Sequence, residues 1–214
     1  MNLKEKHLVS IIIPTYKSAE TLKYVLESIK NQTYNNIEVI IVDRPSGDGT
    51  EELVKKFGYK YIALDSERTK AVNYGARISS GDFIYYIGSD YVLEPNLVEK
   101  VVETVLKEKA DVAIIPNVIK PTGFWSKVRW LEKECYQGDD LIEAARFFSR
   151  KAFFDVGGYD EEMVAYEEHD LHNRLLEKGY KIVRVEGVKE LNIGEPNSLW
   201  IYTKKFYYYG KKMG

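Results

Sequence analysis

The chain has 214 residues, of which 44% are hydrophobic and 30% charged, a composition typical of a soluble globular protein that buries one sizeable core. Its 31 basic and 33 acidic side chains leave a net charge of −2, so bulk electrostatics give no reason to expect nucleic-acid binding. A single cysteine, Cys135, excludes an internal disulfide, and no Cys/His cluster predicts zinc. Since no apolar run approaches the ~18 residues of a membrane span and the opening does not match a secretory signal, we expect a cytoplasmic protein.

Strands and helices are predicted to alternate over the first 116 residues. Apolar, β-branched runs predict buried strands at Val9–Pro14, Ile37–Val42, Tyr59–Leu64, Phe83–Ile87 and Asp111–Pro116. Helical spacing of apolar residues predicts a helix after Ser18, a helix ending near Gly58, and two more at Lys70–Ser80 and Pro95–Lys109. This alternation predicts an α/β fold with a mainly parallel sheet and right-handed crossovers.

The second half of the chain is less regular. Pro121–Gln137 predicts either a loop or an amphipathic helix beside a site, and it carries the aromatic residues Trp125, Trp130 and Tyr136. The stretch "YEEHDLHNRLLEKGY" predicts a helix with Leu171 and Leu175 facing inward. The final "PNSLWIYTKKFYYYGKKMG" predicts a terminal helix with an aromatic side and several lysines.

Three polar side chains follow the ends of predicted strands: Tyr16, Asp43 and Asp90. Because ligands of open α/β sheets bind beyond the carboxyl ends of the strands, we expect all three to face one cleft. Asp43 either caps a turn or accepts a hydrogen bond from a nucleobase, and Asp90 either closes a turn or binds a metal ion. Asp48-Gly49-Thr50-Glu51 matches a capping box, which predicts a structural role for Asp48.

The common phosphate-binding motifs GxGxxG and GxxxxGK[ST] do not occur, which argues against a dinucleotide dehydrogenase and a P-loop NTPase. A bound diphosphate would then need positive charge from Arg68 and Lys70, or from a divalent ion held by an oxygen ligand such as Asp90. The alternative interpretation of Arg68 and Lys70 is solvated surface charge.

Three carboxylates, Glu167, Glu168 and Asp170, lie within four residues at a predicted helix start. One interpretation is a favourable interaction with the helix dipole. The other is a general base, which must lie within hydrogen-bond reach of the group it deprotonates. The "GGYDE" turn before this helix favours a positioned site.

Three stretches of the chain resemble glycosyltransferase family 2. "VSIIIPTYKSAETLKYVLESIKNQTYNNIEVIIVD" resembles the opening of that family, and "AVNYGARISSGDFIYYIGSD" and "FDVGGYDEEMVAYEEHDLHNRL" follow in the family's order and spacing. The resemblance implies a GT-A fold, with a mainly parallel sheet flanked by helices. It also implies inverting transfer of a sugar from a nucleoside-diphosphate donor to a hydroxyl of a glycan or lipid-linked acceptor, often with Mg²⁺ or Mn²⁺.

The resemblance also implies roles for single residues. Asp43 matches the aspartate that binds the donor base, and Asp90 matches the last acid of the Asp-x-Asp motif, which contacts metal. Glu168 matches the catalytic base and Glu167 its preceding partner. The predicted donor side comprises Pro14, Tyr16, Asp43, Arg68, Lys70, Asn73, Ser89 and Asp90. The predicted acceptor side comprises Trp125, Trp130, Tyr136 and Asp170, although helix packing explains the three aromatic residues equally well.

Several positions depart from the family pattern. Arg44 replaces the second of two paired aspartates, and Gly88 replaces the first acid of Asp-x-Asp. Tyr91 stands where a further acid is common, and Glu168 replaces the usual aspartate. No metal-binding histidine lies near Asn192 in the sequence. These departures leave several alternatives open. They are weaker metal binding, metal independence with Arg44, Arg68 or Lys70 substituting, and a non-catalytic protein that binds nucleotide sugars or glycans.

We expect a single domain over residues 1–214. Residues 1–116 would bind the nucleotide sugar, 117–195 the acceptor, and 196–214 would form an amphipathic helix. That helix could lie on an anionic membrane through its aromatic and lysine side chains, or pack against the domain. We expect no nucleic-acid partner.

Overall fold

The computed structural model describes residues 7–139 and 142–213. The parts of our predictions that concern residues 1–6, 140–141 and 214 lie outside the described residues. The strands are β1 (Val9–Thr15), β2 (Ile37–Asp43), β3 (Lys60–Ala63), β4 (Phe83–Tyr86), β5 (Tyr91–Leu93), β6 (Val112–Ile114), β7 (Asn117–Ile119), β8 (Phe147–Ser149), β9 (Ile182–Arg184) and β10 (Glu190–Asn192). The helices are α1 (Ala19–Lys30), α2 (Thr50–Phe57), α3 (Arg68–Ile78), α4 (Leu97–Glu108), α5 (Phe124–Cys135), α6 (Arg150–Asp155), α7 (Glu167–Glu177) and α8 (Leu199–Met213).

The main sheet has seven strands in the order β3-β2-β1-β4-β8-β6-β9. The four strands β3, β2, β1 and β4 are parallel, while β8 runs antiparallel to both β4 and β6. The predicted α/β fold with a mainly parallel sheet is therefore confirmed. Because the parallel strands end at one edge, the residues that follow β1, β2 and β4 meet there.

Helices cover both faces of this sheet because its central strands are apolar on both sides. Successive side chains of a strand point to opposite faces. Accordingly, Ile11 and Ile13 of β1 pack with Leu22 of α1, whereas Ile12 packs with Val72 of α3. The continuous apolar run of β1 is thus buried on both sides.

A second sheet of three short strands, in the order β5-β10-β7, was not predicted. Strand β10 is antiparallel to β5, which places Asn192 opposite Tyr91, and parallel to β7. Each strand has three residues, which is too few to give a recognisable alternation. This sheet connects residues near position 190 to the segment that follows Asp90.

The capping box predicted at Asp48 is wrong. Helix α2 begins at Thr50 with Gly49 as its N-cap, at φ +91°, and no side chain caps it. Asp48 has a different structural role, because its Oδ2 accepts a hydrogen bond from Ala19 N, at the start of α1, at 3.0 Å. Its Oδ1 accepts from Thr50 N and Thr50 Oγ1, at 3.3 and 2.8 Å. Asp48 therefore links the starts of two helices.

The predicted terminal helix forms as α8, and Pro121–Gln137 contains a helix, α5, rather than a loop alone. Across the described residues, none of the helices combines the length and apolar character that crossing a bilayer requires.

Candidate active site

A cleft of about 730 Å³ opens beyond the carboxyl ends of β1 and β4. Its walls come from the loop after β1, the turn after β4, helix α5 and the start of α7. Its charged lining side chains include Lys17, Asp90, Arg129, Lys133, Arg146 and Glu168. Of the other predicted site residues, Pro14, Arg68, Ser89 and Tyr136 also line it. This is the place at which open α/β sheets bind ligands.

Asp90 is held at the cleft by the three-stranded sheet. Ile193 N donates to the backbone oxygen of Asp90 at 2.9 Å, and Asn192 Nδ2 donates to Asp90 Oδ2 at 3.4 Å. The neighbouring Ser89 Oγ donates to Ser18 Oγ at 2.9 Å, which ties the turn to the start of α1. The turn that carries Asp90 is therefore held in the wall of the cleft by contacts on both sides.

The side chains around Asp90 do not fit a divalent cation held by the protein alone. Within residues 7–139 and 142–213, no three His, Cys, Asp or Glu side chains come together as a metal site. At Gly88, an added Cβ would lie 2.8 Å from Asp90 Oδ1 and 2.8 Å from the Tyr91 ring, so an acid there would displace its neighbours. Asn192 turns an amide N–H towards Asp90. Within the described residues, fewer than three carboxylates thus meet there, whereas Mg²⁺ prefers a near-octahedral set of oxygens.

The acids at the start of α7 lie in two different environments. Glu167 is buried and forms an ion pair with Arg68. Burial raises the pKa of Glu167, although the positive charge of Arg68 opposes that shift. Glu168 is half-buried and lines the cleft. The residue before them, Tyr166, has φ +61°, a left-handed conformation that is strained for a non-glycine residue and turns the chain into α7.

A second cleft, of about 470 Å³, lies beside the first on the β2 side. Its lining is mainly apolar, and Pro14 and Arg68 line both clefts, so the two adjoin. The predicted Tyr16 lies here, half-exposed, with the Arg44 guanidinium 5.3 Å from its ring centre. An apolar recess next to a polar cleft suits a nucleobase whose phosphates extend into the neighbouring space.

Asp43 lies under the second cleft and is only 2% exposed. Its Oδ1 accepts from Thr15 Oγ1 at 2.6 Å and its Oδ2 from Tyr61 Oη at 2.9 Å. Thr15 lines the cleft above it. Asp43 itself lines neither cleft, although each of its carboxylate oxygens has a further lone pair.

Other predicted site residues lie outside both clefts. The Asn73 amide donates to Tyr159 O at 2.8 Å and accepts from Tyr159 N at 2.9 Å, which pins the Gly-Gly turn to α3. Asp170 accepts two hydrogen bonds from Arg174, at 2.9 and 2.7 Å. Lys70 is exposed, and neither Trp125 nor Trp130 lines the two clefts. We therefore assign a structural role to the hydrogen bonds of Asn73 and Asp170.

Sequence analysis missed a buried ion pair beneath the cleft. Arg146 Nη2 lies 2.5 Å from Glu190 Oε2, and Tyr85 Oη donates to Glu190 Oε1 at 2.6 Å. The Arg146 guanidinium also lies over the Tyr91 ring, 4.7 Å from its centre. Strands β4 and β10 and the residue before β8 bring these groups together, and no local pattern in the sequence signals their pairing.

Two solved structures that resemble this chain show its fold. Staphylococcus aureus TarS 1–349 in complex with UDP-GlcNAc superposes with a TM-score of 0.74 at 16% identity, covering 89% of this chain and 60% of that one. The mannosyltransferase PcManGT from Pyrobaculum calidifontis, in complex with GDP-Man and Mn²⁺, gives a TM-score of 0.71 at 18% identity, covering 92% of this chain and 61% of that one. The fold is therefore the GT-A fold that the resemblance predicted.

Residues 10–159 match the model of the family described as "Glycosyl transferase family 2". The chain belongs to glycosyltransferase family 2. An uncharacterized glycosyltransferase of Rickettsia felis is 33% identical over 188 residues, which is 79% of this chain and 31% of that protein. Glycosyltransferase GlyG of Streptococcus pneumoniae is 32% identical over 114 residues, 50% of this chain and 38% of that protein. The chain thus spans about a third of the length of these two relatives.

Proposed function

We propose that this chain transfers a sugar from a nucleoside-diphosphate sugar to a hydroxyl of a glycan or lipid-linked acceptor, with inversion at the anomeric carbon. The observation that carries the proposal is the position of Asp90 and Glu168, which line the same cleft although 77 residues of sequence separate them. Family membership and the donor complexes of TarS and PcManGT support the same reaction class.

In this proposal the donor occupies both clefts. The base lies in the smaller, apolar recess above Asp43, with Tyr16 and Thr15 beside it. The diphosphate and sugar extend past Pro14 into the larger cleft, where Ser89 and Asp90 form one wall. The acceptor enters from the side of Tyr136, which is half-exposed at the rim.

Glu168 is the proposed general base. It accepts the proton of the acceptor hydroxyl, and the hydroxyl oxygen forms a bond to the anomeric carbon of the donor sugar. The bond from that carbon to the diphosphate oxygen breaks, and the nucleoside diphosphate leaves with the electron pair. A single in-line displacement inverts the anomeric centre. Glu167 is paired with Arg68, so it acts by positioning the start of α7.

We also propose that α8 contacts a membrane surface, which would suit a lipid-linked acceptor. Its Tyr202 is buried and donates from Oη to Glu195 Oε1 at 2.6 Å, so one side of the helix packs on the domain. Trp200, Phe206 and Tyr207 are 67%, 60% and 73% exposed. The helix carries several lysines and no acidic residue, which matches an anionic lipid surface.

The test of the catalytic proposal compares Glu168→Gln with the control Glu177→Gln, an exposed position at the far end of the same helix. Wild type is assayed for turnover with UDP-, GDP- and dTDP-sugars, and donor affinity is measured separately. We expect Glu168→Gln to reduce kcat at least ~100-fold with donor affinity unchanged, because only proton transfer is lost. The control should retain full turnover.

Two outcomes would contradict this proposal. Turnover of Glu168→Gln within about threefold of wild type would remove Glu168 from the chemistry. Wild-type protein that binds a donor but turns over none of the donors with any hydroxyl acceptor would favour the non-catalytic binding protein.

A further inference from the structure

The basic side chains of the larger cleft fall into two groups. Those lining it are Lys17, Arg68, Arg129, Lys133 and Arg146. Each of the three arginines has a carboxylate partner, namely Glu167, Glu132 and Glu190 respectively. For Lys17 and Lys133, no hydrogen bond or ion pair occurs with any side chain of the described residues. The two lysines are therefore the positive charges of the cleft that are available to a ligand.

Lys133 lies on the side of α5 that faces the cleft and is half-buried. Burial lowers its pKa to about 8, and the positive charge of Arg146 acts in the same direction. The carboxylates that face it, Glu190, Glu143 and Glu168, oppose the shift. A half-buried ammonium group without an ion pair is stabilised when an anion binds beside it.

Lys17 also lines the larger cleft, where it is exposed on the loop after β1. Its backbone has φ +52°, a left-handed conformation that is uncommon for a residue with a side chain. The Lys17 ammonium lies 5.3 Å from the centre of the Tyr16 ring, in contact with the aromatic face. The adjoining Ser18 contacts Ser89, the residue before Asp90, which brings this loop next to the Asp90 turn.

The basic residues predicted from the sequence to replace a metal are less suitable. Arg44 Nε lies 2.8 Å from Asp65 Oδ1, in an ion pair at the smaller cleft. Arg68 is paired with Glu167, and Lys70 is exposed and outside both clefts. Around Asp90, Gly88 leaves no room for a second acid without displacement of Asp90 or Tyr91.

We propose that Lys133 and Lys17 bind the donor diphosphate, so that the chain itself supplies positive charge to the phosphates. This inference rests on the proposed function, because it assigns the phosphate-binding residues of that same donor site. In the reaction the two ammonium groups stabilise the negative charge on the leaving diphosphate. They take no part in the proton transfer to Glu168.

The test measures nucleoside diphosphate binding by calorimetry, with UDP, GDP and dTDP as probes, in EDTA and in Mn²⁺. Lys133→Met and Lys17→Met are compared with Lys127→Met, an exposed position on the same helix as Lys133. We expect wild-type affinity for one of these nucleotides to agree within about twofold between EDTA and Mn²⁺. Lys133→Met should weaken binding at least ~10-fold, since a charged hydrogen-bond donor is lost, and Lys127→Met should not.

Further measurements separate the charge of Lys133 from its effect on folding, and contacts with the phosphates from contacts with the nucleoside. Lys133→Arg should recover most of the affinity, and each variant should unfold at the temperature of wild type. At pH 8, titrations in buffers of different ionisation enthalpy should show proton uptake on binding to wild type and none for Lys133→Met, because the anion favours the charged lysine. The corresponding nucleoside, which has no phosphates, should bind wild type and Lys133→Met with equal affinity. If Lys133→Met lowered the affinity for the nucleoside as much as that for the nucleoside diphosphate, binding of the phosphates by Lys133 would be contradicted.

The outcomes distinguish this inference from the function on which it rests. Nucleotide binding that requires Mn²⁺ and is the same in Lys133→Met as in wild type would overturn the lysine proposal alone. Wild-type protein that binds none of the nucleotides in either condition would overturn the proposed function as well.

Discussion

Arg146 and Glu190 bury two opposite charges beneath the cleft, with 5% and 0% of their side chains exposed. Burial raises the pKa of Glu190, while Arg146 and the hydroxyl of Tyr85 act against that shift. Because each charge compensates the desolvation of the other, removal of one partner leaves the other buried and unpaired. Loss of one member of the pair should therefore lower the free energy of unfolding more than replacement of both members by apolar residues.

We predict that Glu190→Gln lowers the free energy of unfolding by about 3 kcal/mol or more, because it leaves the Arg146 guanidinium without its counter-charge. The control is Glu108→Gln, which removes the exposed partner of Lys181 and should cost less than about 1 kcal/mol. Urea unfolding at pH 7 measures both. If the two variants lost the same free energy of unfolding, the buried ion pair would contribute no more to stability than the exposed one.

At the scale of elements, Asp48 connects α1 to α2, since its two carboxylate oxygens accept from Ala19 N and from Thr50. Partial burial alone would raise the pKa of Asp48, but these hydrogen bonds, together with one from Ser46, lower it to about 2. A lowered pKa means that the folded chain favours the ionised form. The stabilisation is complete above the ordinary value of about 3.9 and is lost as the pH falls towards 2.

The matching prediction concerns Asp48→Asn. At pH 6 the variant should be less stable than wild type by about 1 kcal/mol, a modest loss because the site is exposed. The difference should shrink as the pH falls from about 4 to about 2, where wild type also loses the charge. Thermal unfolding across this pH range measures it, with the exposed Glu186→Gln as control. A difference that stays constant down to pH 2 would assign the loss to something other than ionisation.

At the scale of the whole molecule, the parallel half of the fold followed from local sequence and the rest did not. The strands between Val9 and Ile87 are mainly apolar segments that alternate with segments of helical spacing. The type of each element and its position along the chain could therefore be predicted. The second sheet pairs Tyr91 with Asn192, and contacts between residues that far apart leave no periodic signal.

The candidate site shows the same division. Asp90 and Glu168 line one cleft, and their positions could be predicted because each lies next to a recognisable strand end or helix start. Asn73 was misplaced because a buried amide that holds a turn and a surface amide that holds a ligand look alike in sequence. Lys133 was missed because α5 carries several basic residues, and only the folded chain shows which of them line the cleft and which of those has no ion-pair partner.

A further prediction at this scale concerns α8. Replacement of Trp200, Phe206 and Tyr207 by serine should reduce binding to vesicles containing phosphatidylglycerol at least ~10-fold, because each exposed aromatic side chain adds apolar area to the contact. Serine at Tyr24 and Leu106, which are exposed on α1 and α4, is the matched control. Co-sedimentation measures binding. Equal sedimentation of the triple variant and wild type would exclude α8 as the contact.

Tyr208 belongs to α8 and also lines the smaller cleft, where its hydroxyl donates to Glu67 Oε1 at 3.3 Å. One residue thus connects the helix proposed to meet the lipid surface with the recess proposed to hold the donor base. Thermodynamic reciprocity then applies: the factor by which vesicles change donor affinity must equal the factor by which donor changes vesicle affinity. If that factor exceeds one, the enzyme would hold its donor most tightly where a lipid-linked acceptor is concentrated.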